Sequence, residues 1–397
     1  MAEPVKHYRS LDGLRGIAAL VVVIYHSMIA TPRFGQIRLR PGEQDVSYFE
    51  FAISYTPLRL FWSGTEAVVV FFVLSGFVLS LPFARSGGYP GRYFYPRRML
   101  RLYLPAIASL VFAFTTALLV PRGAIADASP WVIEHAERPN GLLQVLLGSS
   151  LIHGWGGLNL SLWSLRWEVI FSLMLAVFLW FARIVPKLLW VKIALVVAIC
   201  AFWPLANIFY PDGVFIAVFA LGVLMAFNIP KLDRIANRLP TRTWGLVFLL
   251  AATLLTYSGI VIGARTTTHM PELMSVWISF ASMGAVLLVF AALKWQPLVR
   301  VLGSPSIQWL GKVSFSLYLI QDPVVVTIAE LTGGTAPRLA VIPVSIAACL
   351  VVAYGFYRVV ERPSHLLSRS FLRKRELNSK QPRQWPTDAL DVPNTSR

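Results

Sequence analysis

Apolar runs of roughly twenty residues, separated by short polar and basic segments, recur from residue 14 to residue 359 of the chain. Ten such windows lie near 14–31, 65–84, 100–120, 161–182, 188–207, 213–229, 243–263, 273–293, 307–329 and 339–359. Each is long enough, as a helix, to cross a hydrocarbon core of about 30 Å. A helix closes its own backbone hydrogen bonds, which lipid cannot satisfy. The pattern therefore predicts an all-α polytopic membrane protein with about ten transmembrane helices. The stretch 141–155 is apolar but short and ends in glycines, which suits a re-entrant or interfacial segment. Asp12 and Arg15 at the mouth of the first window, and the lack of a small-residue cleavage site after it, separate that window from a signal peptide.

Composition agrees. Of 397 residues, 56% are hydrophobic and 14% charged, against about 25% charged in soluble domains. Mean hydropathy is +0.63. With the N-terminus placed in the cytoplasm, the cytoplasmic segments collect Arg97, Arg98, Arg101, Lys231, Arg234 and the cluster from Arg358 onward. The opposite loops hold scattered arginines offset by acids such as Glu43 and Asp45. That asymmetry predicts an N-in, C-in topology. The net charge of +17 then reads as topology signals and anionic-lipid contacts rather than nucleic-acid binding. Residues 1–363 are expected to form one membrane domain, and 364–397 a basic, disordered cytoplasmic tail. Cys200 and Cys349 fall inside predicted spans, so no disulfide framework is implied. No metal-ligating cluster is expected.

Ionisable residues inside a span are costly and mark functional sites. His26 is the one histidine of six placed well inside a predicted span; His7, His135, His153, His269 and His365 fall in or near loops and tails. Arg15 lies eleven residues earlier on nearly the same helical face, about 16 Å away along the axis, and Asp12 sits one turn below it. An arginine at the cytoplasmic mouth suits a phosphate, and a histidine deeper in the membrane suits a base. A molecule with phosphates at one end and a thioester at the end of a thin arm, as in an acyl-coenzyme A, would fit between them.

Glu168, in the segment Trp163-Ser164-Leu165-Arg166-Trp167-Glu168, is expected at the depth of His26 and predicted to orient its imidazole. Arg98 and Arg101, at i and i+3, present two guanidinium groups from one face. Ser75-Gly76 invites close packing. In the ninth window Tyr318, Gln321 and Asp322 supply a polar lining before Pro323, which is expected to break the helix. Glu361-Arg362-Pro363 reads as a helix stop.

In this order the pieces resemble the acyltransferase-3 family of integral-membrane acyltransferases. Arg15 and His26 match its R/K-x10-H motif, and Arg98 and Arg101 its R-x-x-R motif. Phe71 to Phe77, Trp163 to Phe171, and Glu361 to Pro363 match three further motifs.

The resemblance implies acyl-CoA as donor, acetyl-CoA first, and a hydroxyl acceptor, typically a glycan, outside a bacterial inner membrane. It implies a catalytic role for His26; the Arg15–His26 spacing and the depth match add Glu168 as its catalytic partner, with Arg15, Arg98 and Arg101 on the donor's phosphates. Asp12, Ser75, Trp163, Ser164, Tyr318, Gln321 and Asp322 would line the substrates. Many members carry a histidine where this chain has Gln321, and glutamine cannot take up a proton near neutral pH. A rival reading is an ion-coupled transporter or flippase, which the absence of detectable repeats disfavours.

Overall fold

The computed structural model describes residues 8–39, 45–86, 88–91, 93–123, 128–137, 141–151, 157–203, 211–262, 270–333 and 340–368. The expectations for His7, His153, His269 and tail residues 369–397 lie outside these. Of the described chain, 87% is helical, with no strand. The helices are α1 (Arg9–Ile29), α2 (Pro32–Leu39), α3 (Tyr48–Tyr55), α4 (Gly64–Ser86), α5 (Phe94–Leu119), α6 (Pro130–Glu137), α7 (Leu142–Ser149), α8 (Leu162–Leu173), α9 (Leu175–Arg183), α10 (Leu189–Phe202), α11 (Phe215–Phe227), α12 (Ile229–Arg238), α13 (Thr241–Ile262), α14 (Met270–Lys294), α15 (Gln296–Leu302), α16 (Pro305–Thr332) and α17 (Val341–Phe356).

Each apolar window falls on one of these helices, except 161–182, which holds the two helices α8 and α9, and the windows are not equivalent. Among the described residues, six helical stretches are long and apolar enough to cross a membrane alone, and eight if two bent pairs each count as one span. The pair α8–α9 bends by 60° and α11–α12 by 76°. Asn228-Ile229-Pro230 marks the second bend, because proline suits a first helical turn and not a helix interior. α17 runs on through a π turn at Tyr357–Glu361 into a helix that reaches Ser368. The segment 364–368, expected in the tail, thus continues the last helix.

Helix α1 lies at the centre, packed on α16, α4, α14 and α17. Its crossing with α16 is close because Gly16 meets Gly311 backbone to backbone, leaving no room for a side chain at either position. A second close crossing joins α4 to α11, where Gly222 faces the Val73 carbonyl and Gly76 that of Phe219. The close packing expected of Ser75-Gly76 is therefore made by Gly76 alone.

Pro323 does not break α16. Its ring removes the N–H that would bond the Leu319 carbonyl, a cost that normally kinks or ends a helix. Here the Asn159 side-chain amide donates to that carbonyl at 2.8 Å and restores the lost bond.

The described residues between α1 and α4 form short helices. Ser47 and Glu50 form a capping box at the start of α3, and Arg33 on α2 grips both Glu50 oxygens at 2.6 and 2.7 Å. The Trp62 indole donates to the Ile53 carbonyl at 2.7 Å. α7 is short and exposes Leu142, Leu143, Leu146 and Leu147 while packing on α5. That suits a segment lying against lipid.

Candidate active site

A cleft with a cavity volume of about 190 Å³ opens at the end of the bundle that carries Arg15, and α1, α4, α5, α8 and α16 wall it. Arg15, Arg98 and Arg101 all line it. Arg15 is fixed by α16, with Nε donating to Ser314 Oγ at 2.9 Å and Nη2 to the Gly311 carbonyl at 3.0 Å. Asp12 stands 3.7 Å from its guanidinium, the pairing that their spacing predicts.

Arg98 Nη2 lies 2.7 Å from Glu168 Oε2, and its Nε donates to Ser172 Oγ at 3.1 Å. The other Glu168 oxygen accepts from Ser75 Oγ. Arg101, one turn further along α5, differs: its Nε is buried and has no hydrogen-bond partner among the described residues. A buried guanidinium N–H without an acceptor is costly. This one therefore marks a place where an anionic group would be welcome.

Glu361 also lines this cleft, with 4% of its surface exposed, and accepts from Ser316 Oγ at 2.5 Å and from the Ser316 backbone N–H at 3.1 Å. The sequence assigned Glu361 to helix termination. The helix instead continues, and a π turn directs the carboxylate into the site. His365 joins it there, its Nε2 3.9 Å from Glu361 Oε1.

From the closed end of the cleft a polar ladder climbs between α8 and α16. Ser164 Oγ and Tyr318 Oη lie 2.6 Å apart. One turn on, Gln321 Nε2 donates to Ser161 Oγ at 2.7 Å. Next to it Asp322 Oδ1 lies 3.2 Å from His135 Nε2, and Oδ2 accepts from the Leu160 N–H at 3.1 Å. Gln321 and Asp322 are fully buried and stand behind the cleft rather than on its wall. Trp163 is likewise off the wall, its ring packed 5.4 Å from Phe215 and 6.4 Å from Phe72.

His26 completes the ladder near the far end of α1. Its Nδ1 lies 3.0 Å from the Val22 carbonyl. A carbonyl only accepts, so Nδ1 carries the proton and Nε2 keeps a free lone pair. The ring stands edge-on to Tyr25 at 5.0 Å and tilted against Trp131 at 5.3 Å.

The predicted His26–Glu168 pair is not formed. Equal depth fixes the height of two groups but not the direction each faces. Glu168 turns toward α4 and α5, while His26 turns toward α6. Its tautomer is set by its own helix backbone, and the Asp322 carboxylate stands on its side of the bundle, held by His135 across the Trp131 ring. His135, read from the sequence as a loop residue, sits instead at the heart of this end of the site with no exposure.

The arrangement combines an arginine-lined cleft, a row of buried polar side chains behind it and a histidine with an available lone pair. Against this geometry, the model of acyltransferase family 3, described as an acyltransferase domain, matches residues 8–358. The chain belongs to that family. It is also similar to the O-acetyltransferase PaAT-1 of Phomopsis amygdali, at 25% identity over 382 aligned positions covering 81% of this chain and 73% of the relative. No solved structure matches. Family membership makes the chain an acyltransferase, and its apolar helices make it a multi-pass membrane protein.

Proposed function

We propose that the protein transfers an acyl group, acetyl first, from cytoplasmic acyl-CoA to a hydroxyl of a glycan on the far side of a bacterial inner membrane. The observation that carries this reading is the convergence of Arg15, Arg98 and Arg101 on one cleft, with a buried Arg101 N–H left without an acceptor. The mouth residues fit a phosphorylated donor. Arg101 and Arg15 offer N–H groups to the coenzyme's phosphates, while Arg98, already engaged by Glu168, adds positive charge and shapes the wall. The pantetheine arm follows the polar ladder past Ser164 and Tyr318 toward His26. There His26 Nε2 removes the proton of the acceptor hydroxyl as its oxygen attacks the thioester carbonyl.

Ten spans with both termini in the cytoplasm suit this direction of transfer, since they place the arginine mouth at the donor's compartment. The distribution of basic residues along the loops supports that orientation. The relative's activity as an O-acetyltransferase supports acetyl as the group moved.

The test is acetyl-CoA turnover by the purified protein in nanodiscs, followed as free thiol release beside His26→Ala. Turnover that vanishes in the variant, with the variant still inserted and folded, is the expected result. Equal turnover in the two would overturn His26 as the base. Coenzyme A should also raise the melting temperature, as a ligand that binds only the folded state does. A transporter of the same fold would not respond.

A further inference from the structure

The reaction outlined above leaves one buried ionisable pair without a task. His135 on α6 and Asp322 on α16 face each other at 3.2 Å with no exposure on either side chain. A carboxylate so deep in the protein is costly unless each oxygen is engaged. Both are, one by His135 and the other by the Leu160 N–H. His135 Nδ1 lies 2.8 Å from the Trp131 carbonyl. As with His26, that fixes the proton on Nδ1 and turns Nε2 toward Asp322 Oδ1.

The pair is not remote from the reacting histidine. The Trp131 indole lies 4.3 Å from the His135 ring and 5.3 Å from that of His26, so one aromatic surface bridges the two imidazoles. The charged and titratable groups on this side of His26 are Asp322 from α16 and His135 from α6, across the Trp131 ring, and Arg38 from α2, bonded to the Tyr25 hydroxyl beside the imidazole. Glu168 is occupied elsewhere by Arg98 and Ser75.

We infer that His135 and Asp322 are the positioning pair of the acyl transfer: Asp322 supplies the negative charge that stabilises the His26 imidazolium, and His135 holds that carboxylate in place. The inference rests on the acyl-transfer reading. In the step it serves, the acceptor O–H bond breaks and its proton moves to His26 Nε2. The acceptor oxygen bonds to the thioester carbonyl carbon. The C–S bond then breaks, and the proton passes from Nε2 to the departing sulfur. An ester and a free thiol result, and the pair returns to its starting state.

The experiment uses the full chain in nanodiscs with acetyl-CoA as donor and water as acceptor. A second readout is diethyl pyrocarbonate labelling of His26, mapped by mass spectrometry across the pH range in which histidine titrates. Asp322→Asn should lower kcat about 100-fold with the KM for acetyl-CoA unchanged. It should also move the midpoint of His26 labelling about one pH unit lower, because the nearby negative charge is gone. His135→Gln keeps an N–H donor toward the carboxylate and should retain more activity than His135→Leu.

An unshifted labelling midpoint in Asp322→Asn, or an unchanged kcat, overturns the inference. Labelling does not depend on turnover, so it decides the matter even if water is a poor acceptor. If His26→Ala still releases thiol at the wild-type rate, the acyl-transfer reading itself fails. If His26→Ala is inactive while Asp322→Asn is normal, only the positioning pair fails.

Discussion

Glu168 Oε2 lies 2.7 Å from Arg98 Nη2 while its partner oxygen accepts from Ser75, so one carboxylate ties α8 to α5 and α4. Both members of the ion pair are about one-sixth exposed, at 16% and 17%. Removing the carboxylate strands a guanidinium in a mostly dry wall. Glu168→Ala should cost about 2–3 kcal/mol, the lower end for a broken buried pair given the remaining exposure. The Arg98→Met, Glu168→Leu double variant should recover much of that in a thermal melt while remaining inactive. A single variant as stable as the wild type would show that the pair does not hold the helices.

Arg101 presents the opposite situation. Its buried Nε has no partner to lose among the described residues, so Arg101→Ala should leave the melting temperature of the free protein unchanged or slightly raised. Its effect should appear in binding. The KM for acetyl-CoA should rise about tenfold, the equivalent of one charge-assisted hydrogen bond, and stabilisation by coenzyme A should shrink. Steady-state kinetics and a coenzyme A melt series check both halves.

The Arg33–Glu50 clamp gives the α2–α3 segment a pH dependence. Hydrogen bonding from Arg33 pulls the Glu50 carboxyl from 4.5 down to about 2. A carboxylate whose value is depressed on folding contributes stability that is complete above its unfolded value and lost as pH falls through the folded one. Hydrogen exchange in residues 32–39 and 48–55 should therefore be constant near neutral pH and accelerate as pH falls from about 4.5 toward 2, after correction for the intrinsic rate. Arg33→Ala should show the faster exchange at neutral pH as well.

At the α4–α11 crossing, a methyl group on Gly222 would run into the Val73 carbonyl. Gly222→Ala should destabilise by about 1–3 kcal/mol, read as a lower melting temperature. Gly245, which has open space around it, is the control. Gly245→Ala should be neutral or mildly stabilising.

The apolar runs were enough to place the long helices, because lipid and core both select for unbroken apolar runs. The Asp12–Arg15 contact was readable for the same local reason, two residues one turn apart. Contacts between distant segments were not. His135 lies on an eight-residue helix, too short to leave a periodic trace, and its partner Asp322 is 187 positions away. Pro323 carries the ordinary signal of a helix end; only the Asn159 amide, supplied from outside α16, cancels it. The bend between α8 and α9 left no proline to announce it. The capping box at Ser47 and Glu50 was present in the sequence as a serine three residues before a glutamate, in a stretch with no long apolar run to suggest a helix.

The site draws Asp12 and Arg15 from one end of the chain and Glu361 from the other, with Asn159 and Leu160 holding α16 in the middle. No partially inserted chain contains all of these groups. During synthesis the early helices, arginines and His26 included, enter the bilayer long before α16 and α17 are made. The cleft is thus complete only once α16 and the helical segment that carries Glu361 have docked on the earlier helices.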